Sequence, residues 1–217
     1  MNEANAKAKF YPRIYLDADV QCGYNSMLAL AAELRKPGVM AASPALRMDL
    51  SRSNCFLQSY YRVWMTQPYV TKSMVGSGCY GLSREAAEKI GPFPRIIGDD
   101  IWVHSRFSED ERTNVSQDAQ GRPVSFLVSP PRRVVDQLRV ETRRRLGNKE
   151  VQRLYPSPHF SVSNSASSVL GARKRGASLL DIAIYVGIKT LTKIRMKVVH
   201  RRKKEIVWER DEAAREA

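Results

Sequence analysis

The first hydrophobic segment of the chain, RIYLDADV at residues 13–20, contains β-branched and apolar positions and ends in two acids. Such a segment predicts a buried strand that carries Asp17 and Asp19 at its carboxyl end. Apolar residues then recur at intervals of three and four as far as Gly38, which predicts a helix, with Asn25 placed to cap it. A strand followed directly by a helix is the beginning of an α/β unit.

The rest of the chain alternates between short apolar runs and helical periodicity. Residues 39–42 predict a second strand that ends at Ser43 and Pro44, and a later helix is capped by Ser83 and ended by Gly91. The other predicted elements are an aromatic helix at 53–65, an apolar lead at 74–75 into GSGCYGLS, a helix starting near 101, a charged loop at 108–123, a strand at 124–128, a basic helix at 132–153, a Ser-rich linker at 157–168 and a helix at 178–200. This order predicts an α/β fold with a parallel sheet.

The charge of the chain points to anionic partners. There are 36 Lys and Arg residues against 22 Asp and Glu, a formal net charge of +14. Such a charge attracts nucleic acid, anionic lipid or phosphorylated substrates. No segment has the run of about 18 apolar residues that a membrane-spanning helix needs, and the polar residues after Met1 do not form the apolar core of a signal peptide. We therefore expect a cytoplasmic protein.

Asp17 and Asp19 are the first candidates for chemistry. Alternate residues of a strand point to the same face, so both carboxylates can reach one ion. Mg²⁺ and Mn²⁺ prefer oxygen ligands and leave positions open for diphosphate oxygens. At the carboxyl end of a parallel strand, the pair would lie where α/β folds bind ligands. An Asp-x-Asp triplet also occurs by chance in many chains, so the pair alone does not establish a metal site.

Asp99 and Asp100 are the second candidates, since they follow Gly98 between two apolar runs. Apolar neighbours raise the pKa of a carboxyl group and suit it to accept a proton from a hydroxyl. The same acids could instead stabilise the N-terminus of the helix that starts near Ile101. The local sequence leaves both roles open.

The third candidate is the basic run at 132–153, which has eight basic residues against three acids. Arginines in such a run can hold a diphosphate through bidentate hydrogen bonds. A solvated helix face or a nucleic-acid patch explains the same composition. No recognisable nucleic-acid-binding module accompanies the run, so we expect no nucleic-acid partner.

The order of these segments carries more information than any one of them. A strand ending YLDADV is followed by GSGCYGLSR, by GPFPRIIGDDIWV and by an Arg-rich helix ending RRLGN. This succession, from Phe10 to Lys149, resembles the family 2 glycosyltransferases. The resemblance implies a GT-A fold with a mixed, mainly parallel sheet. It also implies a hexosyltransferase, typically inverting, that moves a sugar from a nucleotide-diphosphate donor to the hydroxyl of a carbohydrate or lipid-linked acceptor, as in polysaccharide or glycolipid synthesis.

The resemblance assigns roles to the four acids. Asp17 and Asp19 match the Asp-x-Asp motif that holds Mg²⁺ or Mn²⁺ on the donor diphosphate. Asp100 matches the general base toward the acceptor hydroxyl, and Asp99 matches the acidic residue before it.

Of two further family motifs, the first is matched by this chain and the second only in part. The turn formed by Gly76, Ser77 and Gly78 matches the segment that lines the donor-sugar and acceptor cleft. Arg144 matches the arginine of a Gln-x-x-Arg-Trp motif, although Glu141 replaces the glutamine and Arg145 replaces the tryptophan. The last motif is therefore degraded.

Such enzymes begin with a strand–helix–strand portion that grips the nucleotide base and ribose, whereas this chain starts almost at the Asp-x-Asp strand. We therefore expect the catalytic-side portion of a transferase that lacks the N-terminal nucleotide-binding portion. The alternative is a truncated, inactive remnant that acts only as a binding or membrane-associated protein.

The chain divides into a catalytic portion at 1–155, a Ser-rich linker at 156–177 and a basic amphipathic helix with a charged tail at 178–217. The helical period predicts one apolar stripe of Leu180, Ile184, Ile188, Leu191, Ile194 and Val198. It places a basic stripe opposite, made of Lys189, Lys193 and Lys197. Such a helix can lie on an anionic membrane, here at the inner face of the cell membrane, or pack its stripe onto the catalytic portion with its charges solvated.

Overall fold

The computed structural model describes residues 1–71, 76–160 and 165–202, with side chains described as far as residue 199. The strands are β1 Arg13–Leu16, β2 Val20–Cys22, β3 Ala41–Met48, β4 Cys79–Leu82, β5 Arg112–Val115 and β6 Ser125–Val128. The helices are α1 Asn2–Lys7, α2 Tyr24–Glu33, α3 Cys55–Trp64, α4 Pro68–Thr71, α5 Arg84–Ile90, α6 Asp99–His104, α7 Val134–Leu154, α8 Ala166–Gly171 and α9 Leu179–Arg202, with a 3₁₀ turn at Ala172–Arg175. Helices and strands alternate, so the predicted α/β class is confirmed.

The strands form a mixed sheet in the order β1–β4–β3–β6–β2, with β5 also paired to β3. β3 pairs in parallel with β5 and β6, whereas β1–β4, β3–β4 and β2–β6 are antiparallel. The prediction of a mainly parallel sheet is therefore wrong for the described strands. β1 and β3 run in the same direction, as expected for strands connected through α2. They do not pair with each other, because β4 lies between them and is antiparallel to both.

β3 is longer than predicted, because it continues through Pro44 instead of ending there. Pro44 registers with Val115 at the end of β5, and Ala45 registers with Ser125 at the start of β6. The proline thus lies where β3 changes partner, a position at which a missing N–H disturbs the ladder least.

β5 lies inside the segment 108–123 that was expected to be a loop. Its sequence RTNV lacks the apolar alternation that marks a half-buried strand. Arg112 is nevertheless buried, and its guanidinium contacts both ring nitrogens of His104. Pairing with β3 and the contact with the end of α6, rather than an alternating pattern, accompany this strand.

Side-chain caps explain where two helices start, and the cap predicted for a third helix is not observed. Asn54 Oδ1 accepts a hydrogen bond from Leu57 N at the start of α3. Ser83 Oγ accepts from Ala86 N at the start of α5, as predicted. Asn25 lies inside α2, whose N-cap is Gly23, so the predicted cap there is wrong.

A hydrophobic core joins α3 to α9. The rings of Tyr60 and Tyr185 stack with centroids 5.2 Å apart. Ala172 and Ala177 are buried in the same core, and α8 precedes them. The predicted linker at 156–177 therefore contains a helix and a 3₁₀ turn, and its last part packs into this core through Ala172 and Ala177. Residues 161–164 lie outside the described residues.

Helix α9 has two different sides. Lys189, expected on a solvated basic stripe, is only 9% exposed and donates from Nζ to Glu141 Oε2 over 2.7 Å. Leu191, Ile194 and Val198, from the predicted apolar stripe, are 50%, 55% and 44% exposed. The apolar stripe thus turns outward along the second half of the helix. Residues 203–217 of the predicted tail lie outside the described residues, and within those described no helix is both long and apolar enough to cross a membrane.

Candidate active site

Asp17 and Asp19 lie in the turn between β1 and β2, not on a strand as expected. The turn is fixed on both sides: Asp17 N donates to Gly78 O over 2.8 Å, and Val20 N donates to Asp17 O over 3.2 Å. Strand alternation therefore does not place the two carboxylates. Their position is set by the turn, which is held against the glycine turn at 76–78.

The glycine turn lies between the two groups of acids. Gly76, Ser77 and Gly78 have positive φ angles of 130°, 56° and 94°. A Cβ on Gly78 would lie 3.2 Å from Asp17 Oδ2, and a Cβ on Gly76 would lie 3.1 Å from Asp100 Oδ2. The backbone can pass this close to both carboxylates only because two of its three residues have no side chain. Residues 74 and 75, expected to lead into the turn, lie outside the described residues.

Asp99 and Asp100 occupy the first turn of the short helix α6. Asp100 Oδ2 lies 3.5 Å from Ser77 N, and its Oδ1 accepts from Ile101 N over 2.7 Å. Both acids are half-buried and follow Gly98, which has no side chain to cap the helix. Asp100 therefore accepts a hydrogen bond at the start of α6 and also approaches the glycine turn, so the two roles left open by the sequence are compatible for this residue.

The charges of these acids act on one another. Burial raises the pKa of Asp17, and the charges of Asp19 and Asp100 raise it further. Burial and then the charge of Asp100 raise the pKa of Asp99 to about 6, with a smaller contribution from Asp17. The four predicted acids thus form one electrostatic cluster. Such mutual destabilisation of negative charge is typical of functional sites.

Helix α7 supports the acid-bearing segment from behind. A Cβ on Gly147 would lie 3.2 Å from Gly98 N, so the two backbones are almost in contact. Along the same face, Glu150 Oε2 accepts from Ile97 N over 3.1 Å. The loop that precedes Asp99 is therefore fastened to α7 at two adjacent points.

Adjacent arginines of α7 have different surroundings. The charge of Arg143 lowers the pKa of Asp17, against the net rise, so Arg143 lies within electrostatic reach of the acid cluster. Arg144, the arginine expected from the degraded motif, forms an ion pair with Glu141 over 3.0 Å and lies near the ring of Tyr69. The structure brings Asp17, Asp19, Asp99, Asp100 and the glycine turn together, and it directs Arg144 into a different cluster.

Of three supporting residues on α7, Gly147 and Glu150 were not among the candidates from the sequence, and Arg143 was one only as a member of the basic run at 132–153. Their spacing of four and three places them on one face of a helix, which the sequence does contain. Which face of α7 meets the acids is decided by tertiary packing.

The acid cluster offers oxygen ligands only. Within the described residues, no group of three or more His, Cys, Asp or Glu side chains forms a ready-made metal site. Asp17 and Asp19 could supply two carboxylates. Burial is the main cause of the raised pKa of Asp17, and the repulsion from Asp19 and Asp100 that adds to it is of the kind that a bound cation would relieve. A cavity of about 630 Å³ is lined in part by Leu16 and Val20, the residues that flank this turn, and by Arg47, but its lining does not include the acids themselves.

No protein-family model and no curated protein sequence matches the chain. Among solved structures, the chain is similar to the mannosyltransferase PcManGT from Pyrobaculum calidifontis in complex with GDP-Man and Mn²⁺. The similarity has a TM-score of 0.54 at 16% sequence identity and covers 94% of this chain and 66% of that chain. The chain therefore spans just under two thirds of that structure, and it shares the fold of a glycosyltransferase structure.

Proposed function

We propose that this chain transfers a sugar from a nucleotide-diphosphate donor to an acceptor hydroxyl, as a GT-A transferase of the family 2 type. The observation that carries the proposal is the convergence of acids from separate segments on one glycine turn. Asp17 N donates to Gly78 O, and the carboxylate of Asp100 approaches Gly76 and Ser77. The fold similarity to a mannosyltransferase supports the same reaction class.

Asp17 and Asp19 are the proposed holders of Mg²⁺ or Mn²⁺. Their carboxylate oxygens are the ligands that these ions prefer, and diphosphate oxygens would fill further positions. When bound, the ion supplies positive charge for the departing diphosphate. The structural neighbour contains both Mn²⁺ and GDP-Man, which supports this choice of donor class and metal.

Asp100 is the proposed general base. Its carboxylate takes the acceptor hydroxyl proton while the acceptor oxygen bonds to the anomeric carbon and the bond from that carbon to the diphosphate oxygen breaks. Attack from the face opposite the leaving group inverts the anomeric centre. Asp99 keeps negative charge beside the base, and the turn from Gly76 to Gly78 forms the wall against which donor sugar and acceptor meet.

Arg143 is a better candidate than Arg144 for contact with the departing diphosphate. The charge of Arg143 reaches Asp17, whereas Arg144 is committed to Glu141. Arg143→Gln should therefore lower turnover at least tenfold without lowering the melting temperature. Unchanged turnover would remove Arg143 from the site.

Calorimetry with GDP-mannose and Mn²⁺ tests the donor site. We expect metal-dependent binding that is abolished by chelator and weakened at least tenfold in Asp19→Asn. Asp110→Asn, which neutralises an exposed acid remote from the cluster, is the matched control and should bind normally. Binding of equal strength without metal would contradict the assignment.

Turnover tests the base separately from the donor site. Asp100→Asn should lose transfer by a factor of about 10² or more and retain donor binding, because only the proton acceptor is removed. Asp99→Asn should lose less. Near-normal turnover of Asp100→Asn would reduce both acids to a helix-stabilising role. Donor binding without any transfer by the native chain would favour the alternative, an inactive remnant that only binds.

A second proposal concerns binding at the inner face of the cell membrane, where a lipid-linked acceptor would be met. It rests on the outward apolar side of α9, formed by Leu191, Ile194 and Val198, with Lys193 and Lys197 exposed beside it. Apolar residues flanked by lysines suit the surface of an anionic bilayer.

Vesicle co-sedimentation tests the membrane proposal. Deletion of 178–217 would also remove the core side of α9, so the substitutions Leu191→Ser and Ile194→Ser are the sharper test. We expect both to reduce binding to anionic vesicles severalfold, and salt to weaken it. Binding that ignores lipid charge, or that survives both substitutions, would rule out this surface.

A further inference from the structure

A second cavity, of about 440 Å³, lies between α7 and α9. It has an unusual charge: five cationic side chains line it, and within the described residues no carboxylate does. The five are Arg144, Arg145, Lys149, Lys189 and Lys193.

This cavity lies on the opposite side of α7 from the acid cluster. Successive residues of a helix are rotated by about 100°. Arg143, Gly147 and Glu150 therefore share one side, while Arg145 and Lys149 lie roughly opposite. A ligand in the cavity is separated from the proposed donor site by the body of the helix.

The positive charge of the cavity is incompletely neutralised. Glu141, behind the wall, accepts from Lys189 over 2.7 Å and pairs with Arg144 over 3.0 Å. Arg145 and Lys149 form no ion pair with any acid that the structure describes. Arg145 is half-buried, and holding a cation partly out of water without counter-charge is costly until an anion binds.

Two features show that the cations are built into the protein rather than spread on its surface. Lys189 is nine-tenths buried, and burial together with the charge of Arg144 lowers its pKa to about 7. Arg145 Nε is buried without a hydrogen-bond partner among the described atoms. The guanidinium of Arg145 therefore has an unsatisfied donor inside the protein, and its side chain forms part of the cavity wall.

We propose that the cavity between α7 and α9 is an anion site for a ligand bearing a phosphate or diphosphate group. Several cations in one cavity suit a multiply charged oxyanion, and arginine binds such groups in bidentate fashion. Phe160, Val169 and Met196 line the same cavity and offer apolar contact to the rest of the ligand. The phosphate belongs either to a soluble molecule or to a lipid headgroup.

Titration with inorganic pyrophosphate in the presence of chelator tests the soluble source, because chelator removes the metal on which the donor site depends. We expect saturable binding that weakens at least tenfold in Arg145→Gln and in Lys149→Gln. Arg153→Gln, an exposed position of the same helix that does not line the cavity, is the matched control. Lys149 is itself exposed, so its substitution tests the site without risk to folding.

Vesicles that contain a phosphomonoester lipid test the lipid source, with Arg145→Gln and Lys149→Gln again compared with Arg153→Gln. Binding by either probe that is lost in the two cavity variants and kept in the control supports the proposal, and the probe that binds identifies the source. The proposal is overturned if neither probe binds or if Arg153→Gln loses as much as the cavity variants. It is also overturned if pyrophosphate binding is lost in Asp19→Asn, which would place the anion at the acid cluster.

Discussion

Single residues of the glycine turn bring the acids together. Gly78 has φ +94°, and a Cβ there would meet Val20 Cγ2 at 2.6 Å as well as Asp17 Oδ2 at 3.2 Å. Gly121 has φ +75° and open space around it. A side chain would strain the backbone at both positions but would meet close neighbours only at Gly78. Comparing substitutions at the two glycines therefore separates the cost of backbone strain from the cost of steric contact.

We predict that Gly78→Ala destabilises the chain by more than Gly121→Ala. Backbone strain alone costs about 1–2 kcal/mol at either position. The contacts at Gly78 add to it, and each further kcal/mol lowers the melting temperature of a chain of this size by about 2–4 °C. Thermal unfolding of both variants measures the difference. Equal losses would mean that the turn has room for a side chain.

Asp99 shows how the acid cluster opposes stability. Its folded-state pKa of about 6 lies above the unfolded value of about 4, because burial and the charge of Asp100 disfavour the carboxylate. The folded chain therefore holds a proton that the unfolded chain has lost between these values. Stability from this group is present below about pH 4 and is lost as the pH rises through 6.

We predict that Asp99→Asn stabilises the fold at pH 7.5 by about 1–2 kcal/mol, allowing for partial exposure of the carboxyl group. Between pH 4 and 6 the free energy of unfolding of the variant should also fall less than that of the native chain. Urea unfolding at several pH values measures both effects, with Asp110→Asn as the remote control. If Asp99→Asn is instead less stable at pH 7.5, the charge of Asp99 is not disfavoured by burial and by Asp100.

At the scale of elements, the position of α6 depends on the face of α7 behind it. Gly147 is in the middle of α7, where glycine is normally less favourable than alanine by about 1 kcal/mol. A Cβ there would lie 3.2 Å from Gly98 N and 3.5 Å from Gly98 Cα. The glycine thus permits α7 to approach the loop that leads into Asp99.

We predict opposite outcomes for two helical glycines. Gly187→Ala in α9, with nothing within 4 Å of the added Cβ, should stabilise the chain by about 0.5–1 kcal/mol. Gly147→Ala should show no such gain and should lower turnover, because the loop and its acids must move. Unfolding and activity assays of both variants measure this. A gain in stability with full activity at Gly147 would show that the contact is loose.

At the scale of the whole molecule, a buried ionic group ties α9 to α7. Burial by itself would raise the pKa of Glu141, but the charges of Arg144 and Lys189 outweigh it and lower the pKa to about 2. The pKa of Lys189 nevertheless falls to about 7, chiefly through burial. Both pKa values fall, which favours the charged form of Glu141 but disfavours the charged form of Lys189. The carboxylate gains two cations, whereas Lys189 is buried beside the like charge of Arg144.

We predict that Glu141→Gln destabilises the chain by about 3 kcal/mol, since it leaves two cations unpaired in the interior. Lys189→Met should cost less, about 1 kcal/mol, because Arg144 still pairs with the carboxylate. Glu88→Gln on the exposed face of α5 is the control. Chemical denaturation measures all three. If Glu141→Gln unfolds like the control variant, α9 is attached by its apolar contacts alone.

Much of the fold and of the candidate site could be predicted from the sequence. The caps at Ser83 and Gly91 determine α5, and the long polar period at 132–153 predicts α7 to within two residues. The segments that carry the acids and the glycine turn were also identified, because motif and order are properties of the sequence itself. These predictions succeed where a structure is set by residues within a few positions of one another.

Tertiary structure decided the rest. β5 is a strand because β3 offers it a partner, and Asp17 and Asp19 lie in a turn whose backbone is bonded to the distant Gly78. Lys189 is buried because Glu141, far away in sequence, lies opposite it. Strand partners and counter-charges are long-range contacts, and local periodicity contains no information about them. The sequence by itself determined which residues could act, and packing decided which of them meet.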